Sequence, residues 1–148
     1  MRRYVTILAL LGAAAGLSGC DESASSLVGP TPDLQPTFSS IQSLIFENRD
    51  STGREACTNC HTNVAGAPGG NLTLTNAVAY DQLVNAASTG RPGLLRVRPG
   101  DPENSYLIHK LEGRSTIEGL RMPLNPPFLV QAQVDVIRQW IQNGAQRN

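Results

Sequence analysis

Apolar residues recur at intervals of three and four positions in four stretches of the chain, which is the spacing of one face of an α-helix. The first stretch, Ile41 to Phe46, follows Ser39-Ser40 and predicts a helix of about three turns. The last stretch, from Val130 to Ile141, predicts a helix that ends at Gly144. No segment alternates apolar and polar residues convincingly, so the predicted fold class is all-α.

Two further helices are predicted between these, followed by an irregular loop. One extends from Thr75 as its cap to Gly90 as its stop. The other starts at Asp101, where a capping carboxylate is followed by proline at the first helical position, and stops near Gly113. Prolines prevent the segment 119–127 from being helical throughout.

The amino-terminal region predicts an export signal and a tether. Residues 1–19 combine a basic start with a short apolar run and are predicted to be a lipoprotein signal peptide, because Leu17-Ser18-Gly19-Cys20 resembles a bacterial lipobox. That resemblance implies cleavage before Cys20 and lipidation of its thiol. The alternative is an ordinary signal peptide that is cleaved near Ala15. The Ser- and Pro-rich segment 20–37 is predicted to be a flexible tether, and 38–148 a single domain.

Charge and composition exclude several classes of function. The sequence has twelve basic and twelve acidic residues, and loss of the two arginines of the signal peptide leaves a slightly acidic chain. The sequence contains no run of basic residues of the kind that would indicate a nucleic-acid partner. The sequence offers no Ser/His/Asp grouping, no paired carboxylates and no phosphate-binding glycine loop, so an acid–base or nucleophilic enzyme is not predicted.

The motif that carries chemistry is Cys57-Thr58-Asn59-Cys60-His61, which has the C-x-x-C-H spacing of c-type haem attachment. Two thiols three positions apart on a helical turn can each bond one vinyl group of a haem, and His61 can then bind the iron. Three alternatives compete. A thioredoxin-type redox pair would need a strand–helix setting, a zinc site would need a second ligand pair, and a Cys57–Cys60 disulfide would leave His61 unexplained.

Two residues compete for the second axial position on the iron. Met122 is the only methionine that remains after the signal peptide, and it lies in a proline-bound loop outside any amphipathic stripe. A methionine opposite histidine raises the reduction potential of a haem. Methionine is also an ordinary core residue. The competitor is His109, which is expected at the surface of its helix because Tyr106 and Leu111 mark the packed face.

These motifs together resemble the class I cytochrome c family. The resemblance lies in C-T-N-C-H after an amphipathic helix, R-M-P before a loop, and V-D-V-I-R-Q-W-I-Q-N-G-A at the end. More narrowly, the stretch S-Y-L-I-H-K-L-E-G is similar to bacterial lipoprotein cytochromes. The resemblance covers about residues 38–148 and implies a cytochrome c-like helical domain wrapped around one covalently attached haem c.

The resemblance has further structural implications. In the family the first and last helices pack together, here through Ile41 and Ile45 against Trp140. A backbone carbonyl in the loop Gly66–Gly69 is expected to accept a hydrogen bond from Nδ1 of His61. Three guanidinium groups are candidates to pair with haem propionates, with solvated surface cations as the alternative. These are Arg96, Arg98 and Arg121.

The expected function is one-electron transfer by a haem whose iron has both axial positions filled by protein. The expected partners are redox proteins of the periplasm or membrane, together with the membrane that holds the lipid anchor at Cys20. The expected location is the cell envelope, with the aspartate after Cys20 slightly favouring the inner membrane. Two alternatives remain: a haem-based gas or redox sensor, and a dedicated electron-transfer subunit of a larger oxidoreductase.

Overall fold

The computed structural model describes residues 31, 33–64, 69 and 71–148. The predicted signal peptide, the predicted lipidation site at Cys20 and most of the loop 66–69 lie outside the described residues. The described chain forms short helices joined by irregular segments, with isolated bridges and no strand. The predicted helical, sheet-free class is therefore confirmed for this part of the chain. No helix within it is both long and apolar enough to cross a membrane.

The first helix, α1 (Phe38–Ile41), continues directly into a π-helical segment, Gln42–Phe46. It begins before the predicted Ser39-Ser40 boundary, because Thr37 is the cap and its hydroxyl accepts the N–H of Ser40 at 3.3 Å. The earlier start places the buried Phe38 ring within the helix.

The second helix, α2 (Ala79–Leu83), is much shorter than predicted. The prediction of a helix to Gly90 is wrong beyond Leu83, because the chain turns away to pair with a later segment. Val84 is extended and bridges Val97, and Asn85 has a φ of 58°. The N–H of Asn85 donates to the carbonyl of Val97 at 3.0 Å instead of continuing the helix.

The third helix, α3 (Tyr106–Glu112), starts later than predicted and ends where predicted. Asp101 does cap a turn, accepting the N–H of Asn104 at 3.1 Å, but the turn does not continue as a helix. The N–H of Tyr106 donates instead to the carbonyl of Leu95 at 3.0 Å. Gly113 ends the helix with a φ of 70°, a conformation that glycine adopts without strain.

The last helix, α4 (Gln131–Gln142), follows the predicted pattern closely. Its amino end has no capping hydroxyl or carboxylate at Val130. The side chain of Gln133 replaces it, because its Oε1 accepts the N–H of Val130 at 3.1 Å. Gly144 lies just beyond the helix with a φ of 96°.

One hydrophobic core joins the first and last helices. Ile41 and Ile45 are fully buried together with Ile137 and Trp140, and the rings of Phe38 and Trp140 lie 5.6 Å apart. Burial of each such side chain is worth about 1.5–3 kcal/mol relative to exposure. The core thus fixes the end of the π-helical segment, from which the candidate motif follows.

The described part of the segment 20–37 also packs on this domain. Thr31 and Leu34 are buried, and Nε2 of Gln133 donates to the hydroxyl of Thr31 at 3.0 Å. The packed chain therefore includes residues that precede position 38.

Candidate cofactor-binding site

The C-x-x-C-H motif forms a single 3₁₀ turn, Cys57–Asn59, that continues through His61. The carbonyl of Cys57 accepts both the N–H of Cys60 at 3.2 Å and the N–H of His61 at 2.9 Å. Both cysteines are free thiols; Cys57 is half-buried and Cys60 is exposed. The turn therefore brings together two sulfurs, one half-buried and one exposed, and an adjacent imidazole on one short piece of backbone.

This turn is attached to the end of the π-helical segment. The thiol of Cys57 donates to the carbonyl of Ile45 at 3.5 Å, and the hydroxyl of Thr58 donates to the carbonyl of Phe46 at 3.3 Å. Burial raises the pKa of the Cys57 thiol, and the charge of Arg54 opposes this shift. The position of the first cysteine is thus set by the helix rather than by the loop alone.

Arg54 is a residue that the sequence analysis missed. Its side chain is fully buried and forms an ion pair with Asp50, with Nε 3.1 Å from Oδ2. Nη1 donates to the carbonyl of Ile45 at 3.1 Å, and Nη2 donates to the carbonyl of Asn48 at 3.2 Å. Arg54 and Cys57 therefore share the Ile45 carbonyl. An ion pair between residues four positions apart looks the same in the sequence whether it is buried or solvated. The spacing of polar and apolar residues therefore did not predict that this pair is buried.

His61 is held between its own turn and the segment that follows. Its carbonyl accepts the N–H of Leu74 at 2.9 Å, while its Nδ1 is buried and forms no hydrogen bond with any described residue. Burial lowers the pKa of His61, and the positive charges of Lys110 and Arg96 lower it further. The imidazole is therefore neutral near pH 7, as a metal ligand must be.

Gly69 packs directly against this histidine. A Cβ at position 69 would lie 2.6 Å from the carbonyl oxygen of Cys60 and 3.0 Å from Nδ1 of His61. Only a residue without a side chain fits in this position. The predicted loop thus lies beside Nδ1 at Gly69; the hydrogen bond expected from its carbonyls remains a prediction, since residues 66–68 lie outside the described chain.

Replacement of Gly69 by alanine is expected to destabilise the protein by about 1–3 kcal/mol, because the new methyl group meets backbone that cannot move aside. Urea unfolding followed by circular dichroism measures the change. Gly90→Ala is the matched control, since its methyl meets only the Tyr106 side chain, with the hydroxyl at 3.0 Å. Equal losses in the two variants would contradict a specific role for Gly69 beside the motif.

The loop that carries Met122 is docked on α3. Met122 is half-buried at the edge of the core, and its N–H donates to the carbonyl of Lys110 at 2.8 Å. The ammonium group of Lys110 donates to the carbonyls of Glu118 at 2.9 Å and Leu120 at 2.5 Å. The position of Met122 is thus set by hydrogen bonds to α3 as well as by core packing.

The expectation that His109 lies at the surface is wrong. The residue is only 8% exposed, and its Nε2 lies 2.6 Å from the carbonyl oxygen of Glu103. Since a carbonyl only accepts, Nε2 carries the proton. The turn that begins at Asp101 packs on this face of α3 and buries His109. The helical spacing of apolar residues does not predict burial by a neighbouring turn. Nε2 of His109 therefore takes part in a hydrogen bond, whereas no described residue forms a hydrogen bond with the side chain of Met122.

The three candidate arginines have different environments. Nη1 of Arg96 donates to the carbonyl of Gln82 at 2.8 Å, and its charge lowers the pKa of His61. Nε of Arg121 donates to the carbonyl of Leu111 at 2.7 Å. Arg98 is exposed. Of these three arginines, Arg96 is thus the one whose charge lowers the pKa of a residue of the motif, His61.

Comparison of the chain with protein-family models, with curated proteins and with solved structures finds no match. Function must be argued from the site. Among the described residues no group of three or more His, Cys, Asp or Glu side chains could hold a metal ion by itself.

Proposed function

We propose that this chain is a monohaem c-type cytochrome that transfers single electrons. In this proposal the domain has the cytochrome c-like helical fold. Cys57 and Cys60 hold one haem c through thioether bonds. His61 and Met122 are the two axial ligands of the iron.

The donor set is the first support for the proposal. Two free thiols and one histidine lie on a single turn, at the spacing that covalent haem attachment requires. The His61 imidazole is kept neutral by burial, and its orphan Nδ1 is available to a backbone acceptor while Nε2 binds the metal. The residues present therefore fit the group.

The donor set carries the proposal, and the position of Lys110 relative to both candidate axial ligands supports it. The charge of Lys110 lies close enough to His61 to lower its pKa. The carbonyl of the same residue binds the N–H of Met122. The two candidate ligands, separated by 61 positions in sequence, are thereby linked through one residue of α3.

The exposed apolar residues near these ligands agree with an additional apolar group. Val64 and Leu120 are both 65% exposed, and Leu124 is 49% exposed. A porphyrin covers such side chains, and it would also supplement a core that has few large aromatic residues. When bound, a haem with both axial positions filled supplies reversible one-electron chemistry without an open site for substrate.

The chain's own residues then have distinct roles. The turn at Cys57 would hold one edge of the group, and His61 and Met122 would supply the protein ligands of the iron. Lipidation at Cys20 would keep this carrier at the periplasmic face of a membrane, within reach of redox partner proteins. Multiple acyl chains give stable anchoring where a single chain does not.

The proposal predicts a mass gain of about one haem per chain when the protein matures in a host with haem-ligation machinery. Mass spectrometry of the denatured protein measures it, because thioether bonds survive denaturation. Cys57→Ala combined with Cys60→Ala should remove the covalent mass completely. A colourless wild-type protein of unmodified mass, correctly exported and folded, would contradict the proposal.

Spectroscopy then separates a carrier from the two alternatives. A carrier should show the far-red band of methionine ligation in its oxidised form and should not bind carbon monoxide when reduced. Rapid carbon monoxide binding without denaturant would indicate a sensor. Co-purification with one larger oxidoreductase would indicate a dedicated subunit.

A further inference from the structure

Lys110 is the only lysine in the sequence, and its environment is unusual for a surface cation. It is half-buried on α3, and within the described chain its ammonium group is bonded to two backbone carbonyls rather than to a carboxylate. Those carbonyls belong to Glu118 and Leu120, in the loop that leads to Met122. Burial lowers the pKa of Lys110, while the charge of Glu118 raises it.

Five hydrogen bonds join residues 118–122 of this loop to α3. The N–H of Glu118 donates to the hydroxyl of Tyr106 at 3.0 Å, and Nε of Arg121 donates to the carbonyl of Leu111 at 2.7 Å. Lys110 supplies the three remaining contacts: two through its ammonium group and one through its carbonyl, which binds the N–H of Met122 at 2.8 Å. Among the described residues, Lys110 is the one that forms hydrogen bonds both with the segment before Met122 and with Met122 itself.

The two hydrogen bonds of the ammonium group differ from the others in strength and in geometry. Hydrogen bonds from a charged donor are about twice as strong as neutral ones. They also draw the carbonyls of Glu118 and Leu120 to a single point, so the backbone between them must curve around the lysine. The hydrogen bond from Arg121 to Leu111 holds the next residue in place. Together these contacts determine the direction from which the backbone approaches Met122.

We propose that Lys110 is a positioning residue for the axial methionine: its ammonium group holds segment 118–122 on α3 so that Met122 is presented as a ligand. This inference rests on the proposed function. It adds that ligand strength is set by a cation outside the iron's coordination, and that the same cation favours the reduced, less positive state of the iron by its charge.

The test compares haem-loaded wild type with Lys110→Met, Lys110→Arg and Arg147→Met. Lys110→Met keeps the length of the side chain and removes the charge and the donors. We expect a weakened far-red band, a lower reduction potential and an affinity of the reduced protein for carbon monoxide that is about tenfold higher. Hydrogen exchange at residues 118–122 should become faster. Lys110→Arg should restore most of these properties.

Arg147→Met is the control for loss of a positive charge. Arg147 pairs with Asp81 and stacks on Tyr80, and neither contact involves segment 118–122. This variant should behave as wild type. If Lys110→Met does not fold, Lys110→Gln, which retains an amide donor, takes its place, with the same expected direction and a smaller effect.

The outcomes distinguish a failure of the proposed function from a failure of the proposed role of Lys110. A wild-type protein without covalent haem overturns the proposed function itself. A haem-loaded Lys110→Met protein with the band, potential and carbon monoxide affinity of wild type overturns only the role of Lys110. So does a Lys110→Arg protein that is as impaired as Lys110→Met, because the cation would then not be the group that matters.

Discussion

Replacement of Arg54 by methionine is expected to lower the free energy of unfolding by about 3–5 kcal/mol, the cost of breaking a buried ion pair by removal of one partner. The variant leaves the Asp50 carboxylate buried without its cation. It also removes donors from the carbonyls of Ile45 and Asn48. Chemical unfolding followed by circular dichroism at pH 7 measures the loss. A fold of this size cannot tolerate much more, since domains are stable by about 5–15 kcal/mol.

Arg49→Met provides the matched control. Arg49 lies five positions earlier and also pairs with a carboxylate, that of Glu55, but its side chain is 62% exposed. Exposed ion pairs contribute about 0–1 kcal/mol, so this variant should be almost as stable as wild type. Similar losses for Arg49→Met and Arg54→Met would show that burial of the second pair does not determine its contribution.

The same pair makes stability depend on pH in a defined direction. Burial by itself would raise the pKa of Asp50, but hydrogen bonds from Thr52 and Arg54 and the charge of Arg54 outweigh it and hold the pKa below its usual value. A carboxyl with a lowered folded pKa contributes stability above its unfolded pKa of about 3.9. That contribution is lost as pH falls through the folded value. The stability of wild type should therefore include this contribution above about pH 4 and lose it as pH falls further, and Asp50→Asn should lack it at every pH.

The sequence predicted those elements whose stability is local or whose periodicity is strong. The helix at Gln131–Gln142 has a continuous apolar face, and its limits were predicted within about two residues. The end of α3 at Gly113 was predicted because a left-handed residue there favours glycine. The turn at Cys57–His61 is likewise local, closed by two hydrogen bonds to the Cys57 carbonyl, while its haem chemistry stays a prediction.

The errors share a different cause, which is contact with distant segments. The helix from Ala79 stops at Leu83 because Val84 pairs with Val97, and no local pattern encodes that pairing. His109 is buried by a turn that precedes its helix, and Arg54 by the end of the first helix. In each case tertiary hydrogen bonds override the pattern of polar and apolar residues, which describes only one face of one element at a time.

Under the proposed function, the choice between Met122 and His109 is tested by the properties of the bound haem. Met122→Ala should abolish the far-red band of the oxidised protein and lower the reduction potential by on the order of 0.1 V, within the roughly 0.8 V that axial ligands span. The fold should remain, because Met122 is only half-buried and contributes to the edge of the core. The reduced variant should also bind carbon monoxide, since one axial position is then open.

His109→Gln is the control, and the two variants must differ in one particular way. If His109 were the ligand, its substitution would change the spectrum and Met122→Ala would not. We expect the opposite, because Nε2 of His109 donates to the carbonyl of Glu103, and a ligand bond at that nitrogen would have to break this part-buried hydrogen bond at 2.6 Å. We therefore expect His109→Gln to reduce stability while leaving the band and the potential unchanged. A potential that falls in His109→Gln and not in Met122→Ala would reverse the assignment of the second axial ligand.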